Sequence, residues 1–268
     1  MALAARLLMF DYTHAIVRQP SLSVVSGLRA GAGPDPDYAA LLAEHDAYVA
    51  ALKGLGLAVD ELPPVDAFPD SIFVEDPALV FSEGAIVLNL AASTRAAEAA
   101  LIAPELESRF DRVLHMQGPG HADGGDVLVL PDRVLIGLSG RTDRKGAEEL
   151  IGLLAQLGLR GEVAETPKDV LHFKTGCSLI DEETVFALPQ MAHLPVFAGL
   201  RVIPVPAGEE KAANKLRIRD TALIGDNFPK SREIIEAHGV RTIPLPVAQI
   251  GLIDAGLSCM SLRWHKVE

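Results

Sequence analysis

Short apolar runs stand in pairs along this chain, each pair split by a tight polar turn, and an amphipathic stretch follows most pairs. Residues 75–90 and 125–138 carry the pattern most plainly: apolar run, polar turn, apolar run, which predicts a β-hairpin in each. A small-residue loop ending in arginine, Arg95 or Arg141, comes next. Apolar residues then recur at three- and four-residue spacings, predicting helices over 96–109 and 143–157. Strands at 112–116 and 162–165 close the two units. The same grammar returns further on. A hairpin of 177–180 with 184–188 leads to a strand at 202–205, and a hairpin of 216–219 with 222–224 leads to a helix over 230–238 and a strand at 241–244. What remains is a strand at 15–18, a helix over 37–55, a strand at 58–62 and a lone apolar strand at 257–262. Pairing 257–262 with 15–18 completes a fifth unit and closes a ring.

Repeats of this length point to propellers or solenoids, and a helix in each unit makes the expected fold a five-bladed α/β propeller of ββαβ repeats with pseudo-fivefold symmetry. A doubly wound sheet is the alternative, but it alternates single strands with helices, whereas here hairpins precede the helices. No Gly/Ser-rich linker interrupts the chain, so residues 1–268 are expected to form one domain. The turn-rich segment 31–37 is a candidate cover over a site.

Composition narrows the function. Of 268 residues, 49% are hydrophobic and 22% charged, which excludes intrinsic disorder. The net charge is −12 and no stretch gathers basic residues, so nucleic acid is not an expected partner. Two cysteines do not make a disulfide framework, and a reducing compartment suits them. The first ten residues are apolar but broken by Arg6, lack a small-residue cleavage site and run into Asp11, so no signal peptide is expected. No apolar window approaches a membrane span of about 18 residues. These readings together predict a cytoplasmic protein, monomer or homodimer, acting on a small molecule.

Candidate chemistry gathers at a few places. Cys259 follows a turn at 254–256 and stands between Ser258 and Ser261, a setting for a reactive thiol at the edge of a strand. Cys177 has a similar Gly-Cys-Ser setting, and composition leaves the two nearly even. His172, where a strand-like run meets Gly176, could serve a thiol as acid or base, its ordinary pKa of about 6.5 suiting both tasks. In His121-Ala-Asp-Gly-Gly-Asp126 the acids and histidine lack a standard zinc spacing, so a tight bend presenting a carboxylate is preferred to a metal site. Asp70, Glu75 and Asp76 adjoin Ile-Phe-Val in an apolar, strand-like segment and are expected to be partly buried, needing internal cations or a substrate guanidinium. Arg95 and Arg141, at matching positions in two repeats, could hold a carboxylate.

The segments 68–76, 123–128, 137–142, 171–176 and 259–262, in that order, resemble the dimethylarginine dimethylaminohydrolases of the guanidine-modifying (amidinotransferase) superfamily over nearly the whole chain. That resemblance implies the pentein propeller and a covalent thiol mechanism with no metal or organic cofactor. It makes Cys259 the nucleophile and leaves Cys177 structural. It implies His172 as general acid and base, and Asp76 with Asp123 as the acids that grip a guanidinium. Arg95 and Arg141 would hold the substrate's α-carboxylate. Asp70 and Ile253 would receive its α-amino group, and Leu28 would lie on a loop covering it. The expected reaction converts N-ω-methylated arginine to citrulline. Asp123 stands where arginine deiminases carry Glu, and the chain leaves little space for their usual extra helical domain. Arginine deimination and a non-catalytic binding propeller are the competing readings.

Overall fold

The structure, a computed structural model, describes residues 9–267. The apolar opening segment read above as no signal peptide lies outside the described residues up to position 8. Among the described residues, no helix is long and apolar enough to cross a membrane.

Among the described residues, fifteen strands form five three-stranded sheets. Four follow chain order: β3(Ala78–Phe81), β4(Gly84–Val87) and β5(Val113–His115); β6(Val127–Val129), β7(Val134–Leu138) and β8(Gly161–Glu165); β9(Cys177–Asp181), β10(Thr184–Ala187) and β11(Arg201–Pro204); and β12(Leu216–Ile218), β13(Thr221–Gly225) and β14(Arg241–Leu245). In each, the first two strands pair as an antiparallel hairpin and the third lies parallel to the second. The fifth sheet joins the two ends of the chain. β15(Leu262–Trp264) pairs antiparallel with β1(His14–Arg18), which runs parallel to β2(Ala58–Leu62).

Apolar clusters show why five sheets become a ring. One packs Ile16, Leu62, Leu262 and Trp264 of the terminal blade against Ala78, Ala85 and Val87 of the next. Another joins that blade, through Leu79 and Ile86, to Val127, Val134 and Ile136. A third runs from Leu128 and Leu135 through Phe186 to Ala222 and Ile224. The last returns from Ile218 and Leu223 to Ala15 and Val17. Each blade thus buries its faces against its neighbours. Polar residues gather elsewhere.

Helices α1(Tyr38–Gly54), α2(Glu98–Glu107), α3(Arg144–Gln156) and α4(Pro229–Ala237) connect second to third strands. Asp37 caps α1 by accepting from the Ala40 N–H at 2.8 Å, and Asp143 caps α3 by accepting from Gly146 at 2.8 Å, each contributing about 1 kcal/mol. Leu41, His45, Tyr48, Val49 and Leu52 form the buried stripe of α1.

Three expectations need correction. The unit at 177–205 has no α-helix between its second and third strands; Pro189 and Pro195 open two short 3-10 turns there instead. Residues 257–261 are not a strand, and pairing begins only at Leu262, which leaves Cys259 in a turn. The acidic segment 68–76 is likewise no strand, but a 3-10 turn, Pro69–Ile72, followed by further turns.

Candidate active site

Among the polar residues in the loops just ahead of the first strands, one in each blade bears on the candidate site. These are Asp76 before β3, Asp123 before β6, His172 before β9, Asn214 before β12 and Cys259 before β15. Four of the five are singled out in the sequence; Asn214 is not.

The pair Gly124-Gly125 lets two of these loops meet. A Cβ on Gly124 would lie 2.0 Å from the Glu75 carbonyl oxygen, and one on Gly125 would lie 2.7 Å from His172 Nδ1 and 3.0 Å from Asp76 Oδ1. Those distances leave no room for a side chain at either position. With the glycines in place, the Gly124 N–H donates to the Asp76 carbonyl at 2.9 Å. Asp123 Oδ2 lies 3.2 Å from His172 Nε2.

Asp126, fully buried, ties the neighbouring loops together. Its Oδ1 accepts from the Phe173 N–H at 2.8 Å, beside His172. Its Oδ2 accepts from the hydroxyls of Ser139 and Thr142, both at 2.7 Å, on the loop that carries Arg141. Thr142 Oγ1 accepts in turn from the Asp123 N–H at 3.1 Å. One carboxylate therefore orients the histidine, the second acid and the arginine loop. Its signal in the sequence is only an acid following two glycines, and that pattern does not say where the carboxylate points.

Asp76 and Asp123 share an unusual feature. Asp76 Oδ1 and Asp123 Oδ1 are buried and have no hydrogen-bond partner. An unpaired buried acceptor costs about 1–3 kcal/mol, so two on carboxylates that both reach toward His172 mark a place prepared for a donor. Arg95 and His172 hold the Asp76 carboxyl below its ordinary range against the opposing effect of burial. For His172, burial works against the proton, but the bond to Asp123 and the charges of Asp76, Asp126 and Asp123 lift its pKa to about 9. Asp76, Asp123 and His172 offer donor atoms within 4.8 Å of one another, a spacing that a metal ion could also use. A metal needs the neutral imidazole, which this environment disfavours, whereas a planar cation needs only the two free carboxylate oxygens.

Cys259 is half-buried and free, and its turn is fixed on several sides. Its carbonyl accepts from the Glu75 N–H at 3.2 Å, and the Ser258 hydroxyl donates to Glu75 Oε2 at 3.0 Å. Arg263 donates to the Ser258 carbonyl at 2.9 Å and to Glu75 Oε1 at 2.9 Å. Burial, with the charges of Glu75 and Asp76, pushes the Cys259 thiol up to about 11. Cys177 differs: it is fully buried at the start of β9, its sulfur directed at the Phe173 carbonyl, and burial lifts its pKa far above the ordinary thiol range.

Two candidates, Arg95 and Glu75, are committed to partners inside the protein. Arg95 is 4% exposed; Nη1 lies 2.5 Å from Asp76 Oδ2, Nε and Nη2 donate to Glu98, and Nη2 also reaches the carbonyls of Asp70 and Phe73. It anchors the acidic loop instead of standing open to a carboxylate. Glu75 is equally committed, with Lys174 at 2.6 Å and Arg263 at 2.9 Å from Oε1, so its side chain is a brace for the Cys259 turn. The Arg141 backbone N–H donates to Ser139 Oγ at 2.9 Å, while its guanidinium makes no hydrogen bond or ion pair among the described residues and its charge is felt at Asp70. Asp70 Oδ1 accepts from the Leu28 N–H at 2.9 Å, which brings the partly exposed Leu28 loop to the same side. The Ala30 N–H donates to Asp254 at 2.6 Å, and Asp254 follows the buried Ile253 in a left-handed conformation.

Known proteins share this fold. Residues 61–222 match the family model described as arginine deiminase. The chain is 36% identical over 255 residues to the N(G),N(G)-dimethylarginine dimethylaminohydrolase of Pseudomonas aeruginosa, covering 94% of this chain and 100% of that protein. Its structure resembles that of a cysteine-to-serine form of the Pseudomonas aeruginosa protein complexed with citrulline, with a TM-score of 0.92, 34% identity, and 95% and 100% of the two chains covered. It also resembles a histidine-to-glycine dimethylarginine dimethylaminohydrolase in adduct with S-methyl-L-thiocitrulline, with a TM-score of 0.91, 34% identity, and 94% and 99% covered. At this identity and coverage the chain belongs to the dimethylarginine dimethylaminohydrolase family.

Proposed function

We propose that this chain hydrolyses N-ω-methylated L-arginine to citrulline, releasing dimethylamine or methylamine through a covalent adduct on Cys259. The observation that carries the reading is the pair of buried, unpartnered oxygens on Asp76 and Asp123 beside His172. Two carboxylates gripping a guanidinium fix its plane and draw its delocalised charge toward the held nitrogens, leaving the central carbon a better electrophile. Bound charge also opposes the fields of Glu75 and Asp76 that disfavour the thiolate, so substrate itself favours ionisation of Cys259.

The thiolate attacks the guanidinium carbon, forming a C–S bond and a tetrahedral adduct. His172, protonated at neutral pH, gives its proton to the departing amine as the C–N bond breaks. A thiouronium remains on Cys259. His172, now neutral, takes a proton from water as the water oxygen bonds to the same carbon. The adduct's hydroxyl gives its proton to solvent as collapse expels the thiolate and leaves citrulline. Arg141, whose guanidinium makes no hydrogen bond or ion pair among the described residues, takes the α-carboxylate in this reading, and Asp70 with the backbone near Ile253 takes the α-amino group. Leu28 rides on the covering loop. The free cysteines accord with a cytoplasmic setting.

Deimination of free arginine is the second reading, favoured by the family model over residues 61–222. The test is citrulline release from N-ω,N-ω-dimethylarginine and from arginine under identical conditions. A higher kcat/KM for the methylated substrate is expected. A higher value for arginine, or no citrulline from either, overturns the proposal.

A further inference from the structure

Fivefold repetition places a polar residue ahead of every first strand, and four of the five belong to the chemistry just described. The fifth, Asn214, has no part in it. It is buried at the end of a 3-10 turn, Glu210–Ala213, immediately before β12. Its Nδ2 points at Cys259 Sγ, 3.6 Å away, within range for a hydrogen bond to sulfur. Its Oδ1 accepts from the Ser258 N–H at 3.1 Å. That second bond settles which end of the amide faces the sulfur, because the N–H of Ser258 requires an oxygen opposite it.

Gly256 makes this approach possible. A Cβ there would lie 2.2 Å from Asn214 Cγ and 2.6 Å from both amide heteroatoms, so the amide rests directly on the glycine's backbone. Asn214 and Gly256 also line a cavity of about 150 Å³ with Lys211, Phe228, Val247 and Leu252, which includes neither of the guanidinium acids.

We propose that Asn214 is a catalytic hydrogen-bond donor to the nucleophile, its amide N–H holding Cys259 Sγ in place and stabilising the thiolate. The need is plain from the surroundings. Glu75 and Asp76 face the sulfur with negative charge, Lys174 offsets them in part, and Arg263 is committed to Glu75 and the backbone of the turn. Asn214 supplies a donor without adding charge, so it stabilises the sulfur anion without repelling the substrate cation. The hydrogen bond strengthens as the thiol loses its proton, because an ionised acceptor binds a donor more strongly than a neutral one. The inference rests on Cys259 being the nucleophile, but not on which guanidine is consumed.

The test is alkylation of Cys259 by iodoacetamide in the full chain without substrate, followed by mass at pH 6–11 for the parent, Asn214→Ala, Asn214→Asp and Gly256→Ala, a displaced thiol midpoint being read from the ratio of variant to parent rates at each pH below it. Asn214→Ala should move the thiol midpoint upward by about one pH unit, read as about tenfold slower alkylation below the midpoint. Asn214→Asp keeps the acceptor for Ser258 but sets a charge beside the sulfur, and its midpoint should rise further. Gly256→Ala should reproduce the Asn214→Ala shift with the asparagine present, the displaced amide having the adjoining cavity to enter. Unchanged midpoints in Asn214→Ala and Asn214→Asp, even with kcat lowered, would overturn the proposal. Should Asn214→Ala fail to fold, the Asn214→Asp and Gly256→Ala midpoints decide it. Failure of iodoacetamide to label Cys259 in the parent would instead overturn the nucleophile assignment beneath it.

Discussion

Two arginines that look equivalent in the sequence differ in what their guanidinium groups touch. Arg95 is surrounded by the carboxylates of Asp76 and Glu98, and its removal would strand two buried acids. Breaking a buried pair by deleting one partner costs about 3–5 kcal/mol, so Arg95→Ala should lose stability of that order in denaturant titration. Arg141→Ala should leave the unfolding midpoint nearly unchanged and raise KM about tenfold or more with kcat largely kept, because a carboxylate contact acts in ground and transition states alike. The reverse pattern would exchange the two roles. Glu98 stands three residues after Arg95 at the start of α2, but Asp76 comes from a different loop, and no spacing rule shows that partnership.

The two groups proposed to react, Cys259 and His172, predict a pH profile as well. In the free enzyme His172 titrates near 9 and Cys259 near 11, so at neutral pH the dominant form is thiol with imidazolium. The reactive thiolate–imidazolium pair holds one proton fewer. The kcat/KM should therefore climb with pH toward about 9 and fall above about 11, both limbs belonging to the coupled pair. The acid limb of kcat should lie lower, because bound guanidinium neutralises the acids that raise both groups. A kcat/KM already flat from pH 6 would contradict this arrangement of charges.

At the scale of elements, the ββαβ grammar was legible because hydrophobic period changes from two to about 3.6 between strand and helix, a signal that does not depend on neighbours. Strand β2 falls at Ala58–Leu62, the bounds read from the sequence, and α1 and α3 start one residue after the acids that cap them. The loops ahead of the first strands were harder to read. Their apolar residues pack inward with no regular period, so 68–76 and 257–261 looked like strands although turns hold them. Those turns matter more than strands would, since each re-aims one side chain toward the centre. Gly125 is the strictest case. Gly125→Ala would push His172 and Asp76 off their positions, and kcat should fall by about a hundredfold or more while the ring, packed elsewhere, still folds. Near-normal kcat in this variant would mean that the two loops need not meet.

Over the whole molecule, five apolar interfaces close the ring, and the polar residues left over meet where the loops converge. Closure joins β1 to β15, which sets the Cys259 turn beside the acidic loop 68–76 despite the distance in sequence. The ring as a fold was legible, because counting units required only the repeat. The partnerships across it were not, because each forms between loops from different blades. Lys215 illustrates a global consequence. It is 3% exposed, donates to the Leu179 carbonyl at 2.5 Å and to Ser178 Oγ at 3.0 Å, and burial lowers its pKa from 10.5 to about 7. Unfolding lets it bind a proton that the folded chain rejects, so its contribution to stability rises between pH 7 and 10.5 and is least favourable below 7. Lys215→Met should flatten that slope, its Tm relative to the parent being highest at acid pH. An equal difference at every pH would show that the lysine stays charged in the fold.

Trapping the covalent state tests the central claim most directly. A His172→Gly variant incubated with S-methyl-L-thiocitrulline should gain the mass of the substrate less methanethiol, because thiolate attack survives while the group that activates water is gone. Peptide mapping should find the added mass on Cys259, with none on Cys177, and Cys259→Ser should gain nothing. An adduct on Cys177, or unmodified protein after prolonged incubation, would contradict the account.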